Sequence, residues 1–299
     1  MKVRVKVPAS TANLGPGFDC LGLALKLYNT GDAEETAGGL EIQIAGEGEK
    51  SLPRGKSNLV YKMIALAFAR SGKKLRGLKI CQTNEIPTAR GLGSSSAAVI
   101  AGLVAGDMLA KARMTDRDIL DASVESEGHP DNVVPALLGG LAISSMEGKK
   151  VQCVIVSPPA GLKVLVAVPD FELSTKKART ALPKSYLKTD AVFNINKTAF
   201  LVSALFLGNY SMLGSAMQDR IHQPYREKLV PGLREALQIK EKNTGIALSG
   251  SGPSIVVLSD RRLPEVKSRL KDIFNKRGHA VRLLELEPDS NGVQKKFIS

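Results

Sequence analysis

The chain has 299 residues, 43% of them hydrophobic and 24% charged, and a formal net charge of +13. That length allows two modest domains or one large one, with the balance of an ordinary globular protein. Three widely separated cysteines and three histidines argue against a disulfide framework, a zinc site or a multi-histidine metal centre.

The opening residues Met1–Ser10 alternate charged and apolar side chains, which predicts a strand over Lys2–Val7 and contains no signal-peptide core. No segment approaches the roughly 18 uninterrupted apolar residues of a membrane helix, so a cytoplasmic protein without a membrane partner is expected. Cys20 is read as a space-filling thiol. Further strands are predicted over Leu40–Ile44 and Leu78–Thr83. Ser57 can cap a helix running to about Ser71, with Leu59, Val60, Met63, Ile64, Ala67 and Phe68 on one face. A helix through Ala97–Ala112 consists almost entirely of small residues and is therefore expected to be buried. Thr115–Asp118 reads as a capping box for a third helix ending near Glu127. Strands follow at Leu141–Ser145, Val151–Val156 and Lys163–Val168, then a polar, basic loop over Ser174–Pro183. Helical periodicity returns over Ala191–Gly208 and Ser211–Met217, and Pro224 and Pro231 bracket a short connection. Gly245–Ser249 and Ser254–Leu258 read as strands, Leu263–Arg277 as a helix and His279–Glu285 as a last strand. The final ten or so residues have a disordered composition. Strands and helices mix without a βαβα rhythm, so the fold is expected to be α+β, with a boundary near residues 140–170.

Three segments carry chemistry. In Pro87–Ala98, two glycines and three serines precede a run of small residues. Glycine lets backbone approach a ligand, and serines at a helix start present N–H groups and hydroxyls at the positive end of the dipole. That is an anion site suited to phosphate, although a tight turn capping a core helix would look similar. No lysine follows the last glycine, so it is not a Walker loop. Pro8–Asp19 is a rigid Gly/Pro/Asn loop carrying one amide, Asn13, and one carboxylate, Asp19. Both could equally cap local backbone. Ala247–Ile255 is a glycine–serine loop between two strands, either a hairpin turn or a surface lying against a ligand.

In this order and spacing, the three segments resemble the motifs of the GHMP small-molecule kinase family: a proline-rich first loop, a P-x-x-x-G-L-G-S-S-A phosphate loop and a glycine-rich third loop. Ser96 stands where that pattern has alanine. Glu127–Ala136, Ser174–Arg179, Gln223–Arg226 and Ser249–Ser254 are similar to the homoserine-phosphorylating branch of that family. The resemblance implies an N-terminal ribosomal-protein-S5-like ATP-binding domain over 1–155 and a ferredoxin-like C-terminal domain over 156–299. It implies ATP and Mg²⁺ as cofactors, L-homoserine as the acceptor, and a homodimer. Pro87, Arg90, Gly91, Leu92, Gly93, Ser94, Ser95 and Ser96 would then surround the nucleotide phosphates. Asn58 would contact adenine, although local capping explains it too. Ser95, or Ser94 in its place, would hold the metal with Glu127; Glu125 and Asp121 are open alternatives. Asp19 suits the acceptor's ammonium and Arg179 and Arg226 its carboxylate, while Asn13 and His129 would orient its polar groups. Asp131 and Asp19 are the carboxylates to test as a base, and the expectation is that no essential base exists. The basic residues are dispersed and aromatics make up only 4%, unlike a nucleic-acid binder, so the charge is read as solvated surface with some attraction for a polyanion. No nucleic-acid partner is expected.

Overall fold

A computed structural model describes every residue, 1–299. In chain order, β1 (Lys2–Ala12), β2 (Leu21–Thr36), β3 (Gly39–Gly46), α1 (Leu59–Arg70), β4 (Gly77–Asn84) and α2 (Ser94–Ala110) come first. Then come α3 (Asp116–Glu127), α4 (Val133–Leu138), β5 (Leu141–Glu147) and β6 (Lys150–Val156). The second half holds β7 (Lys163–Pro169), α5 (Thr175–Thr180), α6 (Lys188–Leu207), α7 (Leu213–Ala216), α8 (Gln223–Arg226) and α9 (Leu233–Leu237). It ends with β8 (Thr244–Leu248), β9 (Ile255–Ser259), α10 (Pro264–Asn275), β10 (Val281–Leu286) and β11 (Gln294–Ile298). The fold is α+β in two units.

The first sheet runs β11-β1-β2-β4-β3, with β5 joined to β2 and β6 to β5. The second is antiparallel in the order β10-β7-β9-β8. Small residues let α2 lie close to α1: a Cβ on Gly102 would come 2.6 Å from the Val60 carbonyl oxygen. A bulky side chain there would push the helices apart. The larger apolar core takes in the first sheet, α1 to α4 and one face of the second sheet through Val164, Val166, Val256 and Leu258. The smaller core covers the opposite face of that sheet, where Leu233 and Ala236 of α9 meet Val266, Leu270 and Phe274 of α10. The second sheet is thus packed on both faces, and the two units share a core.

Several elements differ from the sequence reading: α4 is not anticipated, and α8 and α9 occupy the stretch around Pro224 and Pro231 expected to be a connection. β2 is not anticipated by the sequence reading; Asn29-Thr30-Gly31-Asp32 in its middle are turn-forming residue types, and here all four pair in register with both β1 and β4. The basic loop after Ser174 contains α5, whose first turn is capped by Ser174 Oγ accepting from the Lys177 amide (3.2 Å). Within the last ten residues Gln294–Ile298 form β11, which pairs with β1 from Lys2↔Ile298 to Lys6↔Gln294. The second unit therefore does not keep all of 156–299: its final strand belongs to the first sheet. The three cysteines are free thiols. Cys20 is half-buried rather than buried, and desolvation raises its pKa, which favours the neutral thiol.

Candidate active site

The N-terminus of α2 opens into a cleft of about 260 Å³ lined from both units. Gly93 is the N-cap at φ +69° and Gly91 has φ +73°, the left-handed region that glycine tolerates best. Space requires glycine there as well. A Cβ on Gly93 would lie 2.1 Å from Ser10 Oγ, and one on Gly91 2.1 Å from the Ser249 carbonyl oxygen. The phosphate loop is therefore wedged between the first and third motifs. Ser249 Oγ donates to the Gly91 carbonyl (2.7 Å), and Asn13 Nδ2 donates to the Gly250 carbonyl (2.9 Å).

The first intrahelical bond of α2 runs from the Ala97 amide to the Gly93 carbonyl (2.8 Å). The amides of Ser94, Ser95 and Ser96 precede it and face the cleft at the positive end of the dipole. Ser95 Oγ donates to Glu127 Oε1 (2.6 Å) and Ser96 Oγ to Glu127 Oε2 (2.8 Å). Ser94 Oγ turns back to the Ile86 carbonyl (3.4 Å). Of the three acids considered for a metal, Glu127 alone lines the cleft. Glu125 pairs with Arg70 and Lys149, and Asp121 accepts from the Val151 amide. A hydroxyl beside a carboxylate is the hard-oxygen donor set that suits Mg²⁺ bound with phosphates.

The opposite wall is built of side chains. Asp19, at φ +55°, is held by its own amide donating to Asn13 Oδ1 (3.0 Å). Its carboxylate takes both terminal nitrogens of Arg179, at 2.6 and 3.0 Å. Residues expected to contact opposite ends of one ligand thus contact each other. Phe18 lies beneath them, with the Arg179 and Arg226 guanidinium carbons each 5.5 Å from its ring centroid. Arg226 is 1% exposed yet reaches the cleft. Burial, and then the Arg179 charge, lowers its pKa to about 10, so it stays cationic at neutral pH. His129 Nδ1 lies 2.5 Å from Asp131 Oδ1. Burial works to lower the imidazole pKa, but the hydrogen bond and charge of Asp131 prevail and it is raised.

Two residues read as nucleotide contacts are committed elsewhere. Asn58 does not line the cleft. Its Oδ1 caps α1 by accepting from the Tyr61 amide (3.3 Å), and Nδ2 donates to the Pro53 carbonyl (2.9 Å) and Gln82 Oε1 (3.2 Å). Arg90 does line the cleft. Its guanidinium nevertheless donates to the carbonyls of Thr88, Pro169 and Asp170, tying the phosphate loop to the end of β7. Pro87 and Leu92 also line the cleft, Leu92 with its side chain in the core. Beyond Pro87 and Arg90 a second cleft of about 660 Å³ extends towards Gly46–Ser51 and Arg282.

The structure adds Phe18, Asn132, Thr175 and Ser251 to the walls, and His222 behind Arg226. His222 carried a usable signal. It is one of only three histidines and directly precedes Gln223-Pro224-Tyr225-Arg226.

The families described as GHMP kinases N terminal domain and GHMP kinases C terminal match residues 58–140 and 201–276. A homoserine kinase of Moorella thermoacetica is 41% identical over 290 residues, 96% of this chain and 98% of its own. That of Caldicellulosiruptor bescii is 43% identical over 272 residues, 90% of this chain and 88% of its own. The crystal structure of homoserine kinase from Cytophaga hutchinsonii is similar with a TM-score of 0.85 at 28% identity, over 99% of this chain and 97% of that one.

Proposed function

This chain belongs to the GHMP kinase family, and from that premise we propose that it transfers the γ-phosphoryl group of ATP to the side-chain hydroxyl of L-homoserine. The observation that carries this reading is the facing of an open helix terminus by one anionic and two cationic side chains, Asp19, Arg179 and Arg226. A zwitterionic amino acid fits between them. Its ammonium replaces Arg179 on Asp19, and its carboxylate takes Arg179 and Arg226, so one internal pair is exchanged for three contacts with the ligand. The free acceptor hydroxyl then points towards the α2 terminus.

The residues at that terminus hold the phosphates. Amides of Ser94–Ser96 donate to them, and Ser95 with Glu127 would hold Mg²⁺, which neutralises charge as the phosphoryl group moves. The nucleoside extends past Pro87 into the second cleft. His129, whose Nδ1–H is held by Asp131, hydrogen-bonds the acceptor through Nε2. A loose transition state asks for positioning and charge neutralisation more than for proton removal, so Asp131 is assigned the orientation of His129 and no essential base.

The reading includes a homodimer in the cytoplasm. Free thiols suit a reducing compartment. The outer side of α6 suits a second copy: Val192, Ile195, Phe206 and Leu207 are exposed on it, interleaved with the uncharged Asn196, Ala199 and Ser203. The inner side of α6 belongs to the fold, where Asn194 Nδ2 donates to the Pro16 carbonyl (3.1 Å) and Asp219 (2.7 Å).

An ADP-release assay with Mg-ATP and matched concentrations of L-homoserine, L-serine, L-threonine, shikimate and mevalonate tests the activity. Turnover with homoserine well above the others is the expected result. A preference for shikimate or mevalonate would discard the acceptor assignments while leaving the phosphate loop.

A further inference from the structure

Behind the acceptor wall lies a polar cluster with no surface of its own. Asp219, its side chain fully buried, accepts from the amides of Ile221 (2.9 Å), His222 (3.0 Å) and Gln223 (2.7 Å), which fixes the turn that enters α8. His222, also fully buried, has Nε2 2.7 Å from the Gly15 carbonyl oxygen and Nδ1 3.1 Å from Arg226 Nη1. A carbonyl only accepts and a guanidinium only donates. These two partners therefore fix one tautomer: Nε2 carries the proton and Nδ1 is the acceptor. Phe18 stacks on the imidazole at 5.3 Å between ring centroids.

The arginine's donors can be accounted for. Nε–H goes to the Ala178 carbonyl (3.2 Å), and the two N–H groups of Nη1 go to His222 Nδ1 and the Gly250 carbonyl (3.1 Å). The two on Nη2 have no protein acceptor, yet Nη2 is not among the buried polar atoms without a partner. Since Arg226 lines the cleft, Nη2 is the edge it offers to a ligand.

We propose that His222 is a positioning residue for the acceptor: as the neutral Nε2–H tautomer it links the Gly15 carbonyl of the first motif to Arg226 Nη1, so that Nη2 faces the acceptor carboxylate. This rests on Arg226 binding that carboxylate. Without the imidazole acceptor, the Nη1 proton loses a fixed partner in a buried setting, and the planar guanidinium is less firmly held and can tilt as a whole through its side-chain torsions. The effect falls on acceptor binding, because the α2 terminus makes no contact with His222.

Two substitutions separate the two bonds of the ring. His222→Gln keeps a donor near the Gly15 carbonyl but removes the Nδ1 acceptor; His222→Asn places an amide oxygen near Nδ1. His222→Gln is expected to raise KM for homoserine roughly tenfold or more, with kcat and the KM for ATP within about threefold. His222→Asn should recover most of that loss. In an Arg226→Ala background the His222→Gln effect should vanish. Failure of Arg226→Ala to raise the homoserine KM would remove the assignment of Arg226 on which the proposal depends. A raised KM for Arg226→Ala with an unchanged one for His222→Gln overturns the role of His222 alone. Equal losses in both KM values and kcat for His222→Gln and His222→Asn, with lowered Tm, would assign His222 to folding only and likewise overturn it.

Discussion

At the start of α2 the cleft presents backbone amides of Ser94–Ser96, set by helix geometry and by two glycines that admit no side chain. Across from it, Asp19, Arg179, Arg226, His129 and Asp131 are side chains drawn from four separate stretches, each already bonded to another protein group. One wall is ready for an anion without rearrangement. The other satisfies its charges internally, and a ligand has to displace at least the Asp19–Arg179 pair. Phosphate affinity should therefore be insensitive to single side chains other than those at the metal, whereas acceptor affinity should be sensitive to several.

The largest expected effect tests the exception on the first wall. Glu127→Gln removes the carboxylate that takes both Ser95 and Ser96, and kcat should fall by about 100-fold or more. Raising Mg²⁺ should recover part of the loss, and steady-state titrations with Mg²⁺ check it. Next comes Arg179→Lys, which loses the two-pronged contact with Asp19. The homoserine KM should rise roughly 10- to 100-fold while the KM for ATP holds, as expected for a lost charged hydrogen-bond fork; an equal rise in both would erase the distinction between the walls. Asp131→Asn should cost less than about a thousandfold in kcat, the upper part of what a general base supplies.

The same variant has a signature in stability. The His129 pKa is raised above its ordinary 6.5. Its contribution is thus fully present below 6.5 and lost as pH rises through the raised value. Asp131→Asn should flatten that fall in a Tm–pH series. His222 works in the opposite sense: burial lowers its pKa, so stability falls as pH drops below 6.5 in both proteins. Ser96→Ala should have the smallest effect, a few-fold at most in apparent Mg²⁺ affinity, since Ser95 still holds Glu127.

The contrast between the walls also explains what the sequence revealed. The phosphate loop is one contiguous stretch whose residue types state their backbone geometry, so it could be placed on a helix start before any fold was known. The acceptor wall has no local signal. Asp19 and Arg179 lie 160 positions apart, and only the family pattern put them in one cleft. Asn58 and Arg90 were also read as nucleotide contacts, where local geometry gives each several protein partners. Asn58 shows why: a helix cap and a ligand contact at a helix start require the same residue type. β2 has turn-forming residues in its centre, which two flanking strands override. β11 was lost because a short, lysine-bearing edge strand has the composition of a solvated segment.

The pairing of β11 with β1 also governs the order in which the protein can be completed. β1 emerges early in synthesis, but its outer partner is made nearly the whole chain later, as Lys2↔Ile298 shows. Until then the first sheet carries a bare hydrogen-bonding edge, of the kind that recruits foreign strands. The unit that carries the N-terminus of α2 cannot be sealed before the other unit has been synthesised. A nascent chain that has made the entire phosphate loop is therefore still unfinished, and its exposure to misassembly lasts as long as its translation.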